Sequence, residues 1–112
     1  MARYMVLYNS MVPTSERMAS ASPEQMKASM DEWIKWREDA NKTVKVDFGL
    51  PLQAGNRVTA SGVMNSDSQV SGYSIVEAGS EADLMDLLLT HPHLQNPGTS
   101  IDVLEMLTMP GM

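Results

Sequence analysis

The sequence predicts a single small α+β domain spanning residues 1–112, with the element order β-α-β-β-β-α-β. Three observations carry that expectation. The runs at residues 3–9 and 101–109 have the short alternating period of strands. Two stretches open on helix-capping serines, Ser22 and Ser80. Between the two helices lie three β-favouring runs, interrupted by Gly, Pro and Asn.

Taken in order, Arg3, Tyr4, Met5, Val6, Leu7 and Tyr8 put apolar side chains on both faces of a first strand. A strand covered on both sides reads this way. One face holds Tyr4, Val6 and Tyr8, the other Arg3, Met5 and Leu7. Residues 10–21 form a long connection, which predicts a mobile or functional segment with one helical turn near residues 15–18. Ser22, Pro23, Glu24 and Gln25 are a helix start, with Ser22 as N-cap, Pro23 in the first turn and Gln25 closing a capping box. This helix is expected to run to about Asn41, which would end it in the left-handed conformation. Its apolar stripe is Met26, Met30, Trp33 and Ala40, with Arg37 as the misfit. Arg37 either snorkels at the helix end or aims a cation into a cleft.

Residues 43–48 alternate again and make a second strand. Residues 57–64 predict a third, paired antiparallel across the turn 65–68 with a fourth at residues 70–78. Ser80 caps the second helix, whose Leu84, Leu87 and Leu88 face the core. Pro92 stops it near His91, residues 93–98 are loop, and the last strand ends at Pro110. This order is close to a split βαβ, ferredoxin-like plan, an antiparallel sheet with two helices on one face. The other face keeps large side chains such as Leu104 and Met106, so a homodimer is expected to cover it.

Composition narrows the function classes. The net charge is −6, with seven Lys/Arg against six Asp/Glu in residues 1–45 and one against eight in residues 46–112. Nucleic acid and anionic membranes need a cationic patch, so neither is an expected partner. There is no cysteine, which removes thiolate chemistry and fits a reducing compartment. With no signal-peptide layout and no long apolar run, the expectation is a cytoplasmic protein.

Several short motifs recur in one order. They are the opening Arg3-to-Tyr8 strand, Ser22-Pro23-Glu24-Gln25, a Gly72-Tyr73 strand that runs on through aliphatics to Glu77, His91-Pro92, and Leu104-Glu105-Met106 leading to Met109-Pro110. In these the chain resembles the YCII-related family, within the dimeric α+β barrel superfamily. The resemblance implies a dimeric α/β barrel built from YCII-like domains. It departs from the family at two places. The Asp-Gly-Pro-Phe turn of one branch is replaced by Asn65-Ser66-Asp67-Ser68, and the helix position where a branch carries a His of an Asp–His pair holds Glu32 and Trp33. Activity does not follow from such a fold.

The candidate catalytic residues are His91 as general acid/base, with Glu32 or Glu105 orienting it. The helix end and the acidic second half of the chain raise the His91 pKa and burial against Leu88 and Leu94 lowers it, and the expectation is that the acid wins, leaving His91 titrating in the physiological range beside a carboxylate. Glu105 stands alone among apolar neighbours on its face, and a buried acid there would need a partner. Trp36, Arg37, Tyr73 and Tyr4 are the candidate substrate contacts. His91 and His93 have the spacing of a metal pair but lack a third ligand, so neither metal nor cofactor is expected. Eleven methionines are adaptable core filler or a soft lining for an apolar ligand. Two functions fit these residues. One is an enzyme moving a proton on a small apolar or carboxylate-bearing metabolite, in the manner of an isomerase or lyase. The other is a non-catalytic small-ligand-binding or assembly module using the same cleft.

Overall fold

A computed structural model describes residues 1–111 of the chain. Strand β1 (Ala2–Ser10) leads through α1 (Thr14–Ser20) into the long helix α2 (Pro23–Ala40). Then come β2 (Lys45–Pro51), a hairpin of β3 (Asn56–Thr59) and β4 (Gly62–Asn65), β5 (Val70–Ala78), α3 (Glu81–Leu88), a short 3-10 helix (Pro92–Gln95) and β6 (Thr99–Met106). The fold is α+β. Strands β2-β5-β1-β6 form an antiparallel four-stranded sheet in that order, and β3-β4 form a separate two-stranded sheet.

Local chemistry sets most element boundaries. Ser22 Oγ accepts from the Gln25 N–H at 3.1 Å while Gln25 Oε1 accepts from the Ser22 N–H at 2.8 Å, so the capping box closes in both directions. Ser80 caps α3 by accepting from the Asp83 N–H. Asn41 ends α2 in the right-handed rather than the expected left-handed region, and its Oδ1 instead accepts from the Val46 N–H at 2.9 Å. That bond ties the helix end to the start of β2.

The predicted strand at residues 57–64 does not form, and its antiparallel pairing with residues 70–78 is likewise absent. The chain reverses at Ala60 and Ser61, pairing Thr59 with Gly62. Both loop residues keep negative φ, and Gly62 takes φ +139°, a region that only glycine enters freely. Val58, Val63 and Met64 flank the turn but stay exposed, so the hairpin is not packed onto the main sheet. All eight hairpin residues are exposed, and β5 pairs with β1 and β2 instead.

The core lies between one sheet face and the helices. Tyr4, Val6 and Tyr8 of β1, Val46 of β2 and Val76 and Ala78 of β5 meet Trp36 and Ala40 of α2 and Leu84 and Leu88 of α3. Burying each Val or Leu among them stabilises by about 1.5–3 kcal/mol. Directly opposed residues share a face. The register of Met5 with Ile75 and Leu104, and of Arg3 with Met106, therefore sets these on the other face of the sheet. Leu104 is 53 % exposed there. Glu105 pairs with Tyr4 on the helix-covered face, but at the end of the edge strand, where it is exposed.

The apolar stripe of α2 is buried only in its second half. Trp33 is half-buried and Trp36 and Ala40 are buried, whereas Met30 is 66 % exposed and Met26 is also exposed. The first half of α2 stands off the sheet, and the space beneath it is the site described next.

Candidate functional site

A cavity of about 460 Å³ opens between α1, the first half of α2 and the β2–β5 edge of the sheet. It is within the size range of small-molecule sites. Met18 of α1 and Met26, Met30, Trp33 and Ile34 of α2 form one wall, and Phe48, Leu50 and Pro51 of β2 another. Polar groups enter from Tyr8, Arg17, Ser71, His93 and Asn96. Segment 10–21 contributes a full helix rather than one turn. It is tethered by Thr14 Oγ1 donating to the Leu52 carbonyl at 2.6 Å and by paired bonds between Ser15 and Gln53.

Tyr73 stands among the lining residues, beside the irregular part of β2. The register between β2 and β5 shifts between Phe48 and Pro51. The Tyr73 ring lies against Gly49, where any Cβ would overlap it. The missing side chain of Gly49 leaves the space that this ring fills.

Burial favours the uncharged form of two side chains at the floor. Tyr8 shares a buried 2.8 Å hydrogen bond with Ser74 Oγ. Burial pushes its pKa up to about 12, against the smaller opposing effect of that bond. His93 Nε2 lies 2.8 Å from the Asn9 carbonyl, so in the neutral ring that nitrogen carries the proton and donates. The His93 pKa is lowered, first by burial and then by the Arg17 charge, with the carbonyls of Asn9 and Ser100 pulling the other way.

His91 lies behind this wall rather than in it. It is 1 % exposed, with the rings of Trp36, Trp33 and Tyr8 centred 4.3, 4.4 and 5.0 Å away. Its Nδ1 accepts from the His93 N–H at 3.0 Å, which makes it the N-cap of the 3-10 helix. The ring proton therefore sits on Nε2, which has no hydrogen-bond partner among the described residues. Burial is the main cause that takes the His91 pKa down to about 3, and neighbouring His93 adds to it. The expected raised value is thus reversed, because desolvation among three aromatic rings outweighs the helix end.

The residues expected to act together are not brought together. Glu32 is exposed on α2 and Glu105 on β6, and neither hydrogen-bonds to His91 among the described residues. Of the four expected substrate contacts only Tyr73 lines the cavity. Trp36 is buried against His91, its Nε1 donating to the Leu87 carbonyl at 3.1 Å. Arg37 neither snorkels freely nor enters the cleft, since its guanidinium stacks 4.8 Å above the Phe48 ring. Tyr4 is buried away from the cavity, its pKa raised by burial and then by the carboxylates of Glu105 and Glu81. The cavity instead takes Tyr8, Arg17, Trp33 and His93. The alternation of β1 and the apolar stripe of α2 were the signals for Tyr8 and Trp33, whereas Arg17 carried none.

Among the described residues no three His, Asp or Glu side chains gather in a way that could hold a metal ion. Among the same residues no helix is long and apolar enough to cross a membrane. Neither the models of known families nor the curated proteins gave a match to this chain.

Proposed function

We propose that this protein is a small-molecule-binding module of the ferredoxin-like, dimeric α/β barrel type, related to the YCII family, and that the cavity under α2 is its binding site. The observation that carries the reading is the cavity itself, a space of about 460 Å³ walled by methionine and aromatic side chains with a few convergent polar groups. The strand order β2-β5-β1-β6, with its helices on one face, supports the ferredoxin-like plan. The apolar residues on the other face support a homodimer.

A thermal-shift screen against small apolar and acidic molecules tests the binding reading, with Ser29→Trp as the control that fills the cavity from α2. Hits should raise the melting temperature of the native chain and lose that effect in the variant. Hits that act equally on both proteins would refute the site.

A second reading is favoured by the position of His93 in the wall. It is proton-transfer catalysis, with His93 in the part first assigned to His91. Conversion of a hit to product, abolished in His93→Gln, would select it. A bound hit that stays chemically unchanged would leave the binding module.

A further inference from the structure

Acids outnumber bases 14 to 8 in this chain, yet among the described residues no Asp or Glu lines the cavity. The one formal charge in its wall is the Arg17 guanidinium. Arg17 is half-buried, has no carboxylate within ion-pairing distance and donates no side-chain hydrogen bond among the described residues. The other Lys and Arg side chains stand outside this wall. Arg3, Lys42 and Arg57 pair with Glu77, Asp39 and Asp67, and Arg37 is engaged on Phe48. A guanidinium left without a partner beside an apolar chamber is a waiting half of a charge-assisted pair. Its field reaches the cavity floor, because it acts on His93. The rest of the wall, Met26, Met30, Trp33 and Phe48 above all, suits a flat or flexible apolar body.

We propose that the ligand is an amphipathic monoanion, an aromatic or short aliphatic carboxylic acid, with its carboxylate on Arg17 and its apolar body under α2. This rests on the cavity being the binding site. A cation is excluded by the absence of any acid in the wall to receive it. A multiply charged phosphate ester is disfavoured because a single guanidinium would have to neutralise it inside an apolar chamber.

The test is isothermal titration of the native chain with three probes of one shape: 1-naphthaleneacetate, its neutral amide, and 1-naphthylmethylammonium. The acid should bind tighter than the amide by about tenfold or more, and the ammonium should bind weakest. Arg17→Gln should abolish the preference for the acid by weakening acid binding about tenfold and amide binding far less, with circular dichroism showing that the fold survives. Arg17→Lys should keep part of the preference. Equal binding of acid and amide, or a preference that survives Arg17→Gln, would overturn the anion assignment and leave the cavity reading standing. If none of the three binds, both fall.

Discussion

His91 shows how one side chain can be read correctly as unusual and wrongly as to why. The His91-Pro92 pair marks the end of α3, and a helix end favours a cation. Which of two opposed effects wins depends on depth, and depth here comes from Tyr8, Trp33 and Trp36, distant from it in sequence. Its pH behaviour follows with a definite sign. The folded pKa, about 3, lies below the ordinary value of 6.5. Above pH 6.5 both states are neutral at this ring and it contributes no pH dependence. As pH falls from 6.5 toward 3 the unfolded chain takes up a proton that the folded chain refuses, and stability is lost at up to about 1.4 kcal/mol per pH unit. Urea midpoints measured from pH 7.5 down to 4.5 should fall accordingly. The His91 imidazole resonances should stay unshifted to pH 5, and a titration midpoint above 6.5 would contradict the buried geometry. Gly49 gives a second residue-level expectation. Gly49→Ala must displace the Tyr73 ring rather than a flexible tip, and overpacking of this kind costs about 1–3 kcal/mol. Chemical denaturation should register that loss, with Tyr73 resonances moving most.

Among the elements, α2 was the most legible because its start is decided within four residues. Ser22→Ala removes one bond of the capping box and should destabilise by about 1 kcal/mol, read from the denaturation midpoint. The β3–β4 hairpin was the least legible. Residues 57–64 have strand-forming content throughout, and alternation does not register a reversal made from Thr59, Ala60, Ser61 and Gly62. The stand-off of α2 was hidden for a related reason, since its stripe is continuous in sequence while only the second half meets the sheet. Helix α1 buries no residue and is held by a few exposed hydrogen bonds to residues 52 and 53. Elements with so little burial open readily. Hydrogen exchange should label residues 10–21 well before Val70–Ala78, and equal protection would show that α1 is held as firmly as the sheet.

At the scale of the whole molecule, the chain is a thin plate, 20 Å in its shortest dimension, with helices on one side of its four-stranded sheet. Domains ordinarily close a core between two packed layers. The sheet and its helices already make those two, and the proposed dimer would add a third over the face that carries Met5, Ile75, Leu104 and Met106. Light scattering at micromolar concentration should give about twice 12.3 kDa, and Leu104→Arg should shift the species toward half that mass. A native chain that runs as a monomer would count against the dimer.

The β3–β4 hairpin also matters for anyone who wishes to rebuild this chain. Its residues are exposed throughout and its turn lies apart from the main sheet. Exposed turns of small residues are where backbones accept cuts and grafts. A reporter domain spliced between Ala60 and Ser61, or new termini opened there with the old ones joined, should leave the proposed ligand binding under α2 as it is in the native chain. The turn is thus a natural handle for immobilising the protein with its cavity free.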